Sequence, residues 1–403
     1  MLLNTISLKN TVFSFNSKKI TDHLHVFLFL SVFLCSFVTQ SQKIKVDGII
    51  LDETNTPIPF AAVGIVNKNI GTSSTQDGEF SMLLSKSNLQ DSLSISCLGY
   101  NTFKIKIQDY LKQKEKKILL FESVFEMSEI TLIKPSHYIF SAVKKLKENT
   151  ISTYHLKELL FRRAATEGGK SKFFVENYIK IKGRGPAYSL GTVRVTEARK
   201  SADYRIWKRT QWTHSINYMA SGNPLSPSEK KPNLKKYTWK IIGDSSYEGE
   251  EIVIVEGTNK KKKWDKMKFY IGVDTYGVYR IERQKSLYVY KKHKNGKLYL
   301  SYYSNEWGLN RGMIPEKYWN TEAEKMSYRL EAFVLNIEAD KKKIRLTSFG
   351  DEIDMGSQKL PYHPNFWNDL SMPPDTKFYK KIKSELEGNY GVSLEKQFEL
   401  VNK

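Results

Sequence analysis

Residues 48–100 alternate short apolar runs with turn-forming residues, at the spacing that a chain of antiparallel strands needs in order to reverse. The runs are separated by Pro57-Ile58-Pro59, by the Asp77-Gly78 pair and by Gly99. Proline and glycine interrupt strands, and Asp-Gly is a frequent two-residue hairpin turn. The pattern therefore predicts a small β-sandwich. This segment contains no nucleophile motif, metal-ligand set or phosphate-binding loop.

The same segment resembles a known module. Three pieces occur in the order typical of the carboxypeptidase-regulatory-like domain: Pro57-x-Pro59-x-Ala61, then Gly71-Thr72 followed by Asp77-Gly78-x-Phe80, then Leu98-Gly99-Tyr100. The resemblance implies a seven-stranded sandwich of the transthyretin (prealbumin) type over residues 42–133. Bacteroidetes envelope proteins often carry this module at the mature N-terminus. It indicates a compartment and leaves the activity open.

The first 41 residues have the pattern of a signal peptide. An almost wholly apolar run, Val26–Val38, follows Lys18 and Lys19 and leads to small and polar residues around Ser41. The run is shorter than the roughly 20 apolar residues of a membrane-spanning helix. We therefore expect cleavage near Ser41 and export across the inner membrane. Retention of the segment as an anchor is the alternative.

The two cysteines predict no internal disulfide. Leu34 precedes Cys35 at the position where a lipidation motif requires a small residue, so lipidation is not expected. Cleavage of the leader leaves Cys97 as the one cysteine of the mature chain. Cys97 continues the alternation of Leu93 and Ile95, which predicts a packed and unreactive thiol on the inner side of a strand.

Positive charge is concentrated in the second part of the chain. Residues 42–133 contain 10 lysines and 11 acidic residues, whereas residues 134–403 contain 51 basic and 31 acidic residues. In an exported protein, the partners that such an excess predicts are anionic lipid headgroups, lipopolysaccharide phosphates, acidic glycans or an envelope protein. Nucleic acid is not expected as a partner, and peripheral association with a membrane is compatible with this charge.

Residues 134–403 predict a second domain that is also mainly β. Lys134-Pro135-Ser136 breaks the preceding pattern, a helix is expected near 137–148, and another near 375–387 with Gly388 just past its end. Between the helices, alternating apolar and polar residues predict antiparallel strands over residues 172–182, 237–242, 251–256, 268–273, 278–290, 298–304 and 328–337.

Three segments of this domain, Leu156–Arg163, Lys172–Ile181 and Pro361–Trp367, resemble an uncharacterised C-terminal region that accompanies the module in Bacteroidetes proteins. That resemblance implies an envelope setting and no established chemistry. The β-rich body is similar in outline to the half-barrels that carry lipoproteins through the periplasm. We therefore expect an antiparallel, half-barrel-like sheet with a few flanking helices, located in the periplasm or at the outer membrane.

The module takes its name from a peptidase, and this name suggests a zinc site as one possible function. His155 and Glu158 match the His-x-x-Glu pair of metallocarboxypeptidases, with His214, His293 or His363 as a third ligand. On a strand, however, positions i and i+3 face opposite sides. Other catalytic motifs are missing from the sequence. We expect no enzymatic activity and no cofactor, with a metal-dependent hydrolase of envelope peptides or glycans as the alternative.

The candidate binding residues are lysines in predicted turns. If residues 278–290 form one strand of a simple meander, two clusters share one end of the sheet and Lys341–Lys343 lies at the other. Lysines near anionic lipid contribute roughly 1 kcal/mol each before screening. The alternative is that they protect strand ends and maintain solubility. The two clusters are Lys260, Lys261, Lys262 and Lys263, and Lys291, Lys292, Lys294 and Lys297.

Tyrosines are frequent on the same strands. Most are expected to be half-buried sheet residues. A concave face lined with them would suit a glycan or an acyl chain. The residues concerned are Tyr270, Tyr276, Tyr279, Tyr288, Tyr290, Tyr299, Tyr302 and Tyr303.

Overall fold

The structure is a computed structural model that describes residues 43–68, 70–123, 133–203, 216–227, 232–313, 315–318, 324–340, 342–347, 355, 358 and 360–401. From Ile44 onward the chain forms one compact unit. The predicted leader, residues 1–41, lies outside the described residues, and so do His214 and Lys341.

The first domain is a seven-stranded sandwich, as predicted. One sheet has the order β4-β1-β7, with β1 and β7 parallel, and the other has the order β3-β2-β5-β6. Buried side chains from both sheets, among them Val46, Phe80 and Ile95, form one core. The strands are β1 (Lys43–Leu51), β2 (Ala62–Ile65), β3 (Gly71–Ser73), β4 (Glu79–Ser85), β5 (Ser92–Ser96), β6 (Phe103–Lys106) and β7 (Lys117–Leu119), with helix α1 (Ile107–Lys112) between β6 and β7.

The second domain is built on one antiparallel sheet of ten strands in the order β10-β9-β8-β17-β16-β15-β14-β13-β12-β11, not closed into a barrel. This confirms the mainly β fold class. The strands are β8 (His155–Glu167), β9 (Lys170–Gly183), β10 (Thr192–Lys200), β11 (Tyr237–Tyr247), β12 (Glu250–Asn259), β13 (Lys266–Gly272), β14 (Val278–Arg283), β15 (Ser286–Lys292), β16 (Leu298–Asn310) and β17 (Lys325–Glu338).

Along the chain, the helices of the second domain precede β8, lie between β10 and β11, or follow β17. Thr376 caps the long C-terminal helix by accepting from the N–H of Tyr379, and Gly391 ends it in the left-handed conformation. The prediction that this helix ends before Gly388 is therefore wrong by one turn. The helices are α2 (Pro135–Lys144), α3 (Leu146–Asn149), α4 (Asn217–Ser221), α5 (Pro364–Asp369), α6 (Lys377–Tyr390) and α7 (Leu394–Val401).

Both faces of the large sheet are covered. Leu159 and Phe161 lie on the face that packs against α2 and residues 216–227, which we call the inner face. Leu160 and Ala164 lie on the outer face, which packs against the C-terminal helices and the sandwich. A strand whose neighbouring residues are buried on opposite sides cannot show a clean apolar–polar alternation. Most of the tyrosines are accordingly buried in these two layers.

The segment 278–290, predicted as one strand, is a hairpin. β14 and β15 are antiparallel neighbours, with Arg283 opposite Ser286, and Gln284 in the turn takes a left-handed φ of 51°. The turn consists of Gln284 and Lys285 and contains none of the Gly, Asn or Asp residues that mark a tight turn. The sequence pattern therefore does not predict this reversal of the chain. The extra turn changes which strand ends lie together.

Candidate functional site

The first lysine cluster forms an exposed turn at one end of the large sheet. Lys260, Lys261, Lys262 and Lys263 connect β12 to β13, and all four side chains are exposed. Within the described part of the chain, none of the four ammonium groups is paired with a carboxylate. Trp264 follows directly and is 69% exposed. We call residues 260–264 the basic tip.

The backbone of the basic tip is held from below by two polar side chains. Asn259 Oδ1 accepts from the N–H groups of Lys261 and Lys262 at 3.1 and 3.3 Å, and the N–H of Asn259 donates to the carbonyl oxygen of Asp265 at 3.0 Å. The Asp265 carboxylate accepts from the Tyr237 hydroxyl and from the Asn259 side-chain amide. These bonds satisfy much of the turn's backbone internally. The Lys260 ammonium group also donates to the Lys235 carbonyl oxygen at 3.3 Å, and all four lysines and the indole ring remain exposed to solvent.

More lysines lie beside the basic tip. Lys235 and Lys236 precede β11 and are joined to the tip by the bond from the Lys260 N–H to the Lys236 carbonyl oxygen, at 2.9 Å. Lys285 lies in the β14–β15 turn beside Gln284, whose side-chain amide donates to the Asp265 carboxylate at 3.4 Å. All three side chains are exposed. This end of the sheet is therefore basic over several neighbouring turns.

The second lysine cluster lies at the opposite end of the sheet, so the prediction that both clusters share one end is wrong. The β14–β15 hairpin adds one reversal, and the β15–β16 turn that contains Lys294 consequently falls at the far end. Lys342 and Lys343 follow β17 at that same far end, and not at the end opposite to the second cluster.

Three of the four lysines of the second cluster are engaged by protein groups. Lys294 and Lys297 are exposed, whereas Lys291 and Lys292 are half-buried. Lys291 donates to the Thr72 carbonyl (2.8 Å) and the Ser73 hydroxyl (2.7 Å), and Lys297 donates to the Glu148 carbonyl (2.6 Å). Lys292 forms an ion pair with the Glu250 carboxylate at 3.7 Å.

A cleft of about 990 Å³ lies between the sandwich and this far end. Its walls include Thr72 and Lys104 from the sandwich, and Lys291 and Tyr299 from the second domain. Burial lowers the pKa of Lys291 to about 7. Since Lys291 bonds across the cleft to the sandwich, its amine serves to join the two domains.

The residues of the zinc hypothesis have separate partners. His155 Nδ1 lies 2.9 Å from the Thr153 carbonyl oxygen, and burial lowers the pKa of His155 to about 4. Glu158 is ion-paired with Lys180 at 2.9 Å and accepts from the Asn336 amide at 3.0 Å. Among the described residues, no three His, Cys, Asp or Glu side chains are grouped closely enough to hold a metal ion.

The two other described histidines of that hypothesis differ in exposure. His363 Nδ1 is 2.9 Å from a carboxylate oxygen of Glu197 at an exposed site. His293 is buried in the β15–β16 turn, edge-on to Tyr299, and lies near enough to His155 to contribute to the lowered pKa of that residue. Neither completes a ligand set with His155.

Lys157 is a site residue that the sequence reasoning misses. Its side chain is 8% exposed and lines a cavity of about 40 Å³ on the inner face, in phase with Leu159 and Phe161. Burial lowers the pKa of Lys157 to about 8, and no acceptor for its ammonium group is found among the described residues. The cavity is large enough for a few water molecules. The available signal was a lysine at an inward position among apolar residues.

Trp264 is the second residue that was missed. The signal was a tryptophan directly after four lysines in a turn, since large aromatic residues are usually packed rather than exposed. The charge pattern of the turn does not include this residue, because an indole ring is neutral.

Comparison with protein families identifies the first domain. Residues 46–132 match the model of the CarboxypepD_reg-like domain, which confirms the resemblance that the motifs of this segment indicated. The match covers the sandwich and the segment that follows it. No curated protein matches the sequence.

Solved structures similar to the chain align with about half of its length. They are a DUF1329 family protein from Desulfovibrio piger (12% identity, 53% of this chain and 96% of the other, TM-score 0.25), a LolA superfamily protein from Nitrosomonas europaea (12%, 55% and 97%, 0.23), and a domain assigned to outer membrane lipoprotein sorting from Vibrio parahaemolyticus (9%, 49% and 90%, 0.23).

Among the described residues, no helix is both long enough and apolar enough to cross a membrane.

Proposed function

We propose that this chain is a non-catalytic binding protein of a Gram-negative cell envelope, periplasmic or associated with the outer membrane. The CarboxypepD_reg-like sandwich acts as a scaffold, and the basic domain binds an anionic lipid, glycan or partner protein. The observation that carries this proposal is the basic tip, with four exposed lysines that have no carboxylate partner in the described structure.

The position of the sandwich supports this assignment. Its contacts with the second domain include the bonds from Lys291 to Thr72 and Ser73 and the bond from the Gly99 N–H to the Ser246 carbonyl oxygen, at 2.8 Å. Lys291 and Ser246 both lie toward the far end of the sheet. The basic tip lies at the other end, where a large anionic partner can approach it.

The energy available at the tip is sufficient for reversible binding. A lysine near an anionic surface contributes about 1 kcal/mol. Salt screens this attraction at separations beyond the Debye length, which is about 10 Å at 0.1 M ionic strength. Four lysines therefore give an interaction that is strong at low salt and weak at high salt.

The test is binding to heparin, a soluble polyanion, across a series of NaCl concentrations. Replacing Lys260, Lys261, Lys262 and Lys263 together by Gln is expected to weaken binding at least about tenfold at low salt and to flatten its salt dependence, because four charges leave the contact. Retention on a heparin column and fluorescence anisotropy with labelled heparin both measure the effect.

A matched control removes four charges elsewhere. Lys104, Lys106, Lys114 and Lys342 are exposed and lie away from the basic tip, so their replacement by Gln is expected to change binding much less. Equal weakening by the two quadruple variants would mean that net charge alone determines binding. That result would remove the basic tip as the site.

A further inference from the structure

Trp264 gives the basic tip an apolar element that electrostatic binding does not require. Trp264 and Met313, each 69% exposed, are the most exposed large hydrophobic side chains of the described residues. Both lie at the same end of the sheet, Trp264 between β12 and β13 and Met313 between β16 and β17. Exposure of a tryptophan to water is unfavourable in free energy, and a partner that covers the ring would remove a large apolar area from water.

The exposure of Trp264 follows from how the turn is built. The residue after it, Asp265, is buried at 6% exposure and fixed by the Tyr237 hydroxyl, and its N–H donates to the carbonyl oxygen of Lys262 at 2.9 Å. The anchored Asp265 leaves the preceding indole ring outside the sheet. Lys262 Nζ lies 5.8 Å from the centre of that ring, so cation and ring occupy the same surface.

The combination matches the chemistry of a lipid bilayer interface. There, a tryptophan ring lies at the boundary between headgroups and acyl chains, and neighbouring lysines reach the phosphates. Lys235, Lys236 and Lys285 extend the basic surface around the ring. A glycan could stack on Trp264 but not on Met313, which has no ring. An acyl layer, by contrast, could contact both of these exposed side chains.

We propose that the basic tip is an interfacial membrane anchor, in which Trp264 enters the headgroup region of an anionic bilayer while Lys260–Lys263 pair with lipid phosphates. The inference rests on the proposed function, and it adds that the partner is a bilayer surface rather than a soluble polyanion. The bilayer faces the end of the sheet opposite to Lys291.

The experiment uses vesicles of phosphatidylcholine and phosphatidylglycerol at a ratio of 7:3. Insertion of Trp264 is expected to shift its emission to the blue and to make it accessible to quenching by lipids brominated on the acyl chains. The sequence has seven tryptophans and none lies in residues 1–42, so an apolar leader does not contribute to this signal. The difference between the parent chain and Trp264→Phe isolates the contribution of Trp264.

Sedimentation of the same vesicles measures affinity. Trp264→Ala is expected to reduce partitioning by about tenfold, because an exposed indole contributes more than 1.4 kcal/mol on burial. Trp264→Phe is expected to retain most of the binding, and the quadruple lysine variant to lose it at low salt. Vesicles of phosphatidylcholine alone are expected to bind weakly to all variants.

The outcomes separate this inference from the proposed function. Vesicle binding without any change in Trp264 emission, or equal affinity of Trp264→Ala and the parent, would overturn the anchor while heparin binding leaves the proposed function standing. If the parent binds neither heparin nor anionic vesicles, both proposals fail. Unchanged circular dichroism and thermal unfolding of Trp264→Ala, expected for an exposed residue, show that the variant is folded.

Discussion

Lys157 illustrates how one buried residue sets a pH dependence. It lies inside the apolar inner layer at 8% exposure, and burial lowers the pKa of its ammonium group to about 8. A charged amine in such surroundings is disfavoured by desolvation. Lys157 therefore lowers the free energy of unfolding near neutral pH.

The sign of the pH dependence follows from this pKa. Between about pH 8 and 10.5 the unfolded chain binds a proton at Lys157 that the folded chain has lost, so the free energy of unfolding is expected to rise with pH across that window. Below pH 8 the full destabilisation is present. Lys157→Met is therefore expected to raise the free energy of unfolding at pH 7 by about 2 kcal/mol and to reduce the slope above pH 8.

Urea unfolding at pH 7, 8.5 and 10 measures this effect. The matched control is Lys180→Met, on the neighbouring strand, because Lys180 is paired with Glu158 and is expected to destabilise when replaced. Destabilisation by Lys157→Met would mean that the amine has a favourable partner, such as ordered water in the cavity, and would contradict the prediction.

At the scale of elements, a buried ionic network fixes the C-terminal helices on the outer face. Arg162 of β8 and Arg199 of β10 both bind the carboxylate of Glu176 on β9, and Arg162 also lies 3.5 Å from Asp375 before α6. Burial alone would raise the pKa of Glu176, but the guanidinium groups of Arg199 and Arg162 hold it well below its usual range. The network joins three strands to the start of α6.

Glu176→Gln is expected to lower the free energy of unfolding by about 3 kcal/mol, because it leaves the buried Arg162 and the partly buried Arg199 without their shared anion. The stabilisation by Glu176 is present above the unfolded pKa of about 4.5 and is lost as the pH falls toward the folded pKa. The variant should consequently lack part of the acid dependence of the parent, which urea unfolding between pH 3 and 7 measures.

Glu115→Gln is the control for charge removal at an exposed pair. Glu115 contacts Lys117 at 2.9 Å with both side chains more than half exposed, and pairs of this kind contribute little. Equal effects of the two substitutions would show that the buried network has no special weight.

At the scale of the whole molecule, Lys291 links the sandwich to the sheet through two bonds to β3. Phe60 adds an apolar contact, stacked on Tyr302 with ring centres 4.5 Å apart. These contacts hold the first domain over the outer face and toward the far end. They leave the basic tip at the other end uncovered by the sandwich.

Lys291→Ala is expected to accelerate amide hydrogen exchange in β3 by about tenfold, since two hydrogen bonds from an amine are lost. Lys294→Ala, in the same turn but exposed, is the matched control and is expected to leave exchange unchanged. Mass spectrometry of peptides that cover Gly71–Ser73 measures both. Unchanged exchange in Lys291→Ala would indicate that other contacts, such as Phe60 on Tyr302, suffice.

Local signals in the sequence determined the sandwich, the β-rich second domain and the presence of a helix at each side of it. Pro, Gly and Asp-Gly act within a few residues, and a helix cap such as Thr376 acts within one turn, so their consequences are visible without the fold. The composition also located the positive charge in the second domain, because counting residues needs no geometry.

Tertiary structure alone decided which of these local features lie together. The Gln284–Lys285 turn has no strong local signal, yet it reverses the chain and separates the two lysine clusters. Long-range pairing also buried Lys157, bonded Lys291 to the sandwich and left Trp264 exposed beside the lysines. The physical reason is that burial and proximity depend on packing between residues far apart in the chain, which alternation along one strand does not encode.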